Sequence, residues 1–295
     1  MPRATRSSPP NDGVIVTRFA PSPTGPLHLG HAYSALTIQA LAGDAGRVLL
    51  RLEDTDSTRS RQEFAAQILD DLSWLGFHWQ GEVRTQSDHQ AAYNAALKDL
   101  ARRGLIYPCS CTRADISRAG AKLGLQGLVY PGTCRHRPMS EAQDGDALRL
   151  NVARALEHAG ALPAFTETGP LHAGTHQPDP DTLIDRIGDP VLRRRSTGDI
   201  AYDLACPHDD AAQGVTHVIR GADLWDSTPL HVLIQTVMGW PVPIYHHHAL
   251  VTDETGRRLA KIDRSKALAR YRDEGVSHAE LIAMLPPLPI TPLAP

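Results

Sequence analysis

Residues 18–31 read RFAPSPTGPLHLGH and hold the side chains best suited to act on a phosphorylated ligand. His28 and His31 flank Gly30 at the end of a Gly/Pro loop. Two imidazoles there can donate hydrogen bonds to phosphate oxygens without adding permanent charge. Gly30 leaves room for a flat ring against the backbone. The elements that must position these residues lie on either side. GVIVTRF (13–19) reads as a β-branched strand and AYSALTIQALAG (32–43) as a helix. A strand, a tight loop and a helix start together make an anion site, because the first helical N–H groups point outward unpaired.

A second group is metal-like. Cys109, Cys111, Cys134 and Cys206 are too few and too unevenly spaced for a disulfide scaffold, and three of them fall within 26 residues. A Cys-x-Cys pair with Cys134 offers three thiolates to one ion. The fourth ligand stays open between Tyr130, four residues before Cys134, and His136, two after it. Spacing alone favours the imidazole.

The remaining chain supplies the frame. RVLLRL (47–52) is a second buried strand, placing Glu53 at the carboxyl edge of a sheet, the usual ligand side. A helix follows in QEFAAQILDDLSWLG, capped by Thr58 or Ser60 and stopped by Gly76. Residues 84–104 form another, with Ser87 or Asp88 as cap and Gly104 as stop. THVIR (216–220) is a strand that ends on Arg220, and a helix starts near Pro229 after a Ser227 or Thr228 cap. This β-α-β-α order predicts a doubly wound parallel α/β sheet. Residues 183–206 read as a hairpin whose second strand, through Tyr202, enters the core. Residues 138–182 are turn-rich, with a strand at 146–152 and His158, His172 and His176 on the surface. Arg193, Arg194 and Arg195 read as a solvated face. His246, His247 and His248 alternate in an extended segment, so they are core and surface positions rather than a metal tract.

The boundaries that follow are a disordered tail (1–13), a first nucleotide-binding half (14–107), an insertion (108–182) with its metal module at 108–135, a second half (183–250) and a C-terminal loop, short helix and Pro-rich tail (251–295). A hydrophobic fraction of 41% and a charged fraction of 21% are those of an ordinary globular chain. No apolar run approaches the roughly 18 residues of a membrane span. The N-terminus lacks the apolar core of a signal peptide, so the cytoplasm is expected. A net charge of −3 argues against indiscriminate nucleic-acid binding, while leaving room for a local RNA grip.

The RFAPSPTG…HLGH string resembles the nucleotide signature of class I aminoacyl-tRNA synthetases, and its prefix the glutamyl/glutaminyl branch. The likeness extends over about residues 14–265, through the Tyr202-Asp203-Leu204-Ala205 run and the VIRGxDL string at Arg220. GRRLAK (256–261) resembles the second family signature, with Lys261 at its second lysine, Arg258 replacing the first and Ala260 the serine. The resemblance implies a Rossmann-type catalytic domain with an inserted zinc-containing, acceptor-like subdomain and no anticodon-binding domain. It implies activation of L-glutamate by ATP with Mg²⁺, with His28, His31 and Lys261 as catalytic groups and Gly30 joining them in ATP binding. Glutamate would be held by Arg18, Ala20, Ser22, Glu53, Tyr202 and Arg220. The cysteine module resembles the family's CxC…YxxxC form, which makes Cys109, Cys111, Tyr130 and Cys134 the ligands of one Zn²⁺ and His136 the alternative. The short architecture resembles the glutamyl-queuosine branch, in which a monomer transfers glutamate to queuosine in the anticodon loop of tRNA(Asp). A minimal synthetase charging tRNA(Glu), or a non-catalytic nucleotide- or RNA-binding paralogue, stays open beside it.

Overall fold

The β-branched and leucine-rich runs become the central strands of the computed structural model, which describes residues 13–251 and 266–294. β1 (Val16–Phe19) pairs in parallel with β2 (Arg47–Leu52), and β3 (Arg84–Thr85) extends β2 in parallel. α1 (Leu29–Ala42) crosses between β1 and β2, starting earlier than its apolar pattern because His28 and His31 cap it. Residues 1–12 of the N-terminal stretch expected to be a disordered tail, and Arg258, Ala260 and Lys261, lie outside the described residues.

Several expected caps are not used. α2 (Gln62–Trp74) starts after Arg61 with no side-chain cap, since the Thr58 hydroxyl donates to Asp56 at 2.7 Å and the Ser60 N–H to the Asp56 carbonyl. α3 (Gln90–Arg102) follows a 3₁₀ turn at Gln86–His89; the Ser87 N–H donates to Asp54, so neither Ser87 nor Asp88 caps it. Tyr93, Leu97 and Leu100 form its buried face, as the helical period predicts.

β4 (Ile106–Cys109) leads to α4 (Arg113–Arg118), the hairpin β5 (Leu123–Gly124) and β6 (Gly127–Leu128), and then β7 (Ala147–Leu150). α5 (Val152–Ala159), absent from the sequence reading, is capped by the Asn151 side chain and buries Val152 and Ala155. β8 (Phe165–Glu167) and β9 (Gly174–His176) come from the turn-rich stretch. α6 (Pro180–Thr182) runs into a π turn at Leu183–Ile187. β10 (Val191–Arg193) joins β7 and β4 in an antiparallel sheet ordered β10-β7-β4.

The expected second strand of the 183–206 hairpin is a single bridge, Arg193 to Ile200, followed by α7 (Tyr202–Ala212). Tyr202, Leu204 and Cys206 alternate with smaller or polar residues and imitate a strand, but burial of Leu204, Ala205, Asp209 and Asp210 follows helical spacing. β11 (His217–Gly221) ends beside Arg220 as predicted. α8 (Thr228–Met238) has no side-chain cap from Ser227, and the Thr228 hydroxyl is taken by Arg220 instead. β12 (Ile244–His248) pairs in parallel with β11 and with β8, Tyr245 lying opposite Glu167.

The Thr216 N–H donates to the Val16 carbonyl at 2.9 Å and sets the four-stranded sheet β11-β12-β8-β9 beside the three-stranded sheet β1-β2-β3, with β11 next to β1. β1 therefore has its successor β2 on one side and the late strand β11 on the other. Such a switch opens a crevice at the carboxyl ends of the strands. α9 (Leu268–Asp273) and α10 (His278–Ala283) add Leu268 and Leu281 to the core around α1 and α2. The Pro-rich tail forms no regular element, as its composition predicts, but it docks, with the Leu293 N–H on the Leu41 carbonyl at 2.9 Å. Among the described residues no helix is long and apolar enough to cross a membrane.

Candidate active site

At the crevice lies a cavity of about 710 Å³. His28, Gly30 and His31 line one part of it, and Arg18, Ala20, Ser22, Glu53, Tyr202 and Arg220 the other. The loop at 21–23 is fixed by the chain leaving β2, through Glu53 N–H to Pro21 O and Arg61 N–H to Pro23 O, both 3.0 Å.

His28 Nδ1 accepts from the Gly30 N–H at 3.1 Å, and His31 Nδ1 accepts from the His28 N–H at 3.2 Å. The two rings thus occupy backbone donors that the sequence left open for an anion. With Nδ1 accepting, each neutral ring carries its proton on Nε2, the nitrogen left to donate. Burial pushes His28 down, and burial with the His28 neighbour pushes His31 down to about 3. Both are neutral donors at physiological pH, with ring centroids 3.8 Å apart.

The arginines are anchored from α7. Arg18 Nε donates to Asp210 at 2.8 Å, Arg51 donates to the same carboxylate, and Arg84 pairs with Asp209 at 2.8 Å. Burial opposes ionisation of Asp210, but Arg18 and Arg51 outweigh it and hold the carboxyl well below its usual range. Arg18 was expected to offer an open fork; its Nε–H and part of its outer edge are instead taken by Asp210 and Cys206. Burial pushes the Glu53 carboxyl up to about 7, against the pull of Arg51 and Arg18.

Arg220 differs. It is 4% exposed. It donates to His247 Nε2 (3.0 Å), the Tyr202 hydroxyl (3.0 Å), the Leu224 carbonyl (3.1 Å) and the Thr228 hydroxyl (2.8 Å), with His231 Nδ1 at 3.5 Å. None of these partners is an acid. A buried guanidinium with only neutral ligands at a cavity wall has the chemistry to receive a carboxylate.

Sequence reasoning missed Arg51, Cys206 and Asp210 beneath the cavity, where no motif marked them. It also missed Arg59 and Asp56 at its wall, with Arg194 paired to Asp56 at 2.7 Å. Arg194 lines the cavity as well, while its side chain stays 39% exposed, in keeping with the solvated face expected of it. His246, His247 and His248 are all buried: His246 bonds Thr168, His247 bonds Glu167 and Arg220, and His248 bonds Ser34. None is a surface position. His158 and His172 are exposed, and His172 stacks on Trp225 at 4.1 Å.

The sulfurs of Cys109, Cys111 and Cys134 lie within 4.8 Å of one another. The Tyr130 hydroxyl sits 3.4 Å from Cys109 Sγ and 3.4 Å from Cys111 Sγ, and Cys111 and Cys134 are 3.6 Å apart. A tetrahedral zinc with bonds of about 2.3 Å to sulfur and 2.0 Å to oxygen has edges of roughly 3.8 and 3.5 Å. The donor set therefore fits zinc in type and spacing. Cys134 is drawn down to about 7 by hydrogen bonds from its neighbours, although burial opposes this. His136 instead lines a separate cavity of about 300 Å³ with Arg137 and Arg154.

This crevice and its signature loop are those of a class I tRNA synthetase. The chain matches the model for the class I (E and Q) tRNA synthetase catalytic domain over residues 14–293 and belongs to that family. It is 50% identical over 278 residues to the glutamyl-Q tRNA(Asp) synthetase of Rhodobacter capsulatus, a match covering 90% of this chain and 98% of that one. The protein of the same name from Geobacter sulfurreducens is 40% identical over 264 residues, covering 88% of this chain and 79% of that one. Among solved structures, the glutamate-tRNA synthetase of Elizabethkingia anophelis superposes with a TM-score of 0.66 at 25% identity, covering 85% of this chain. This chain spans 53% of that longer protein.

Proposed function

We propose that this enzyme activates glutamate with ATP and transfers it to queuosine in the anticodon loop of tRNA(Asp). The observation that carries the glutamate step is Arg220, charged, buried and surrounded by neutral groups at the wall of the signature cavity. Its NH1 and NH2 groups, bonded only to neutral partners, suit a substrate carboxylate, with the Tyr202 hydroxyl 3.0 Å from NH1 and Arg18 lining the same cavity. Glu53, across the same cavity, suits the α-ammonium, and Ala20 and Ser22 complete the wall.

Activation joins an α-carboxylate oxygen of glutamate to the α-phosphorus of ATP. The bond from that phosphorus to the β-bridging oxygen breaks, and its electron pair leaves with pyrophosphate. Two anions must approach, so the protein's task is alignment and charge stabilisation. The Nε2–H groups of His28 and His31 are placed to donate to phosphate oxygens without a titratable charge of their own. Lys261 and Mg²⁺ would neutralise the remaining phosphate charge. In transfer, an acceptor hydroxyl attacks the acyl carbon, the acyl–phosphate bond breaks, AMP leaves and the hydroxyl proton is lost. Cys109, Cys111, Tyr130 and Cys134 would hold one Zn²⁺, which would tie the two ends of the 109–134 segment together. The acceptor assignment is supported by the names of the two relatives described above.

The test is transfer of labelled glutamate to matched tRNA(Asp) with and without queuosine. Label on the modified RNA alone is expected. Label at the 3′ end of tRNA(Glu) would replace the acceptor, and no glutamate-dependent exchange of pyrophosphate into ATP would remove the activation step.

A further inference from the structure

Among the described residues Arg220 reaches negative charge through imidazoles: closely through His247 to Glu167, and more loosely through His231, 3.5 Å from NH1, whose Nε2 lies 3.4 Å from Asp203. His247 Nε2 accepts from Arg220 Nε at 3.0 Å, and His247 Nδ1 lies 2.6 Å from Glu167 Oε2. The other Glu167 oxygen accepts two backbone N–H groups, His247 at 2.8 Å and Gly169 at 2.5 Å. Glu167 is 2% exposed and His247 0%. We infer that Glu167 and His247 are positioning residues for glutamate recognition, holding the Arg220 fork towards the cavity while keeping its balancing carboxylate one ring away. The inference rests on the reading of Arg220 as the receptor for a substrate carboxylate.

The hydrogen-bond inventory fixes the protons. An ionised carboxylate accepts only. Glu167 therefore requires hydrogen on His247 Nδ1, which leaves Nε2 as the acceptor that Arg220 Nε–H needs. Burial would raise Glu167, but the His247 hydrogen bonds prevail and hold it below the usual carboxylate range. Burial keeps His247 below the usual imidazole range, so the ring is a neutral bridge. One edge of the guanidinium is thus locked in a single orientation.

The distance of Glu167 matters as much as its presence. Arg18 has Asp210 directly on its fork, and that contact occupies donors a substrate would otherwise use. Placing the balancing charge behind His247 leaves Arg220 NH1 and NH2 with neutral partners that a carboxylate can outcompete. The device is built from β8 and β12, so a stretch with no motif of its own supplies the second layer of the site.

Glu167→Gln cannot preserve this pattern. Every contact of the carboxylate is an N–H donor, so the amide must oppose one donor with another or force the ring proton onto Nε2, facing Arg220. The full chain is assayed by ATP–pyrophosphate exchange, with glutamate or glutamine varied at saturating ATP. Glu167→Gln and His247→Leu are expected to raise the glutamate KM about tenfold or more, leave the ATP KM within about twofold, and narrow the preference for glutamate over glutamine. His247→Gln, whose amide can accept from Arg220 and donate to Glu167, should recover most of the loss. A glutamate KM within about twofold of wild type in both Glu167→Gln and His247→Leu overturns the inference. Glutamate and ATP KM rising together with a lowered melting temperature also overturns it, as does His247→Gln performing no better than His247→Leu. Wild-type protein without glutamate-dependent exchange would instead remove the underlying reading of the pocket, and this inference with it.

Discussion

Replacing Arg220 by methionine keeps most of the side-chain volume and deletes the charge and every donor. Hydrogen bonds to a charged group contribute about 1.5–3 kcal/mol each, and a fork can make two to one carboxylate. Removing one member of a buried ion pair costs about 3–5 kcal/mol, which agrees with two such bonds. At about 1.4 kcal/mol per factor of ten, kcat/KM for glutamate should fall roughly a hundred- to a few thousand-fold. The fold should tolerate the change. The Tyr202 and Thr228 hydroxyls can turn to other partners, the Thr228 hydroxyl already lying 3.4 Å from His247 Nε2, while the Leu224 carbonyl and His247 Nε2 each lose a donor, at a cost of about 1 kcal/mol each. Arg220→Lys keeps the charge and loses the fork, so it should fall between. The assay is ATP–pyrophosphate exchange at varied glutamate, with the ATP KM and the melting temperature as controls. A folded Arg220→Met protein within about threefold of wild-type kcat/KM would refute the carboxylate-receptor reasoning, because no electrostatic contact of this burial is that weak.

Two further outcomes follow from other groups. Glu53, raised to about 7 by burial, can receive an ammonium only when ionised, so kcat/KM for glutamate should fall about tenfold per pH unit below that point and flatten above it. Glu53→Gln should be poor and free of this inflection. The sign for stability is opposite: the native carboxyl binds its proton more tightly than the unfolded one, so its contribution is lost as pH rises from 4.5 towards 7, and Glu53→Gln should melt higher than wild type at pH above about 7. An unshifted acidic limb in Glu53→Gln would assign that limb to another group. In the metal cluster, metal analysis should find one zinc per wild-type chain, a reduced content in Tyr130→Phe and an unchanged content in His136→Ala. Loss on His136→Ala alone would reverse the ligand assignment.

The parts legible in the sequence were those set by local chemistry. Runs of Val, Ile and Leu announced β1, β2 and β11, and the HLGH loop announced residues that line the cavity. The helix caps were not legible. Thr58, Ser87 and Thr228 satisfy the local rules for caps, yet the Thr58 hydroxyl turns back to Asp56 two residues earlier, the Ser87 N–H goes to Asp54, and the Thr228 hydroxyl is taken by Arg220. Asp209 and Asp210 were also hidden: they meet Arg84 and Arg18 from 125 and 192 residues away, and no spacing rule spans such distances. The turn-rich stretch hid β8 because a three-residue strand gives period-two alternation too little length to register.

The buried arginines follow two designs, and on the proposed reading the difference favours glutamate over glutamine. Arg18 and Arg51 converge on Asp210, so their positive charges shape the floor without standing open to a ligand. Arg220 meets neutral groups only, with Glu167 withdrawn behind His247. Arg18 and Arg51 share the Asp210 carboxylate, Arg220 is balanced at a distance by Glu167, and Glu53 adds a third carboxylate once ionised. His28 and His31 are held neutral and add no charge. Zwitterionic glutamate brings a carboxylate to the neutral-partnered edge of Arg220 and an ammonium that keeps Glu53 ionised. Glutamine has the same length but no net charge, and its amide must turn N–H groups towards a guanidinium that is itself only a donor. Rejection then comes from a buried charge left unpaired as well as from a weaker contact, the kind of discrimination that a pocket of matching shape alone cannot reach.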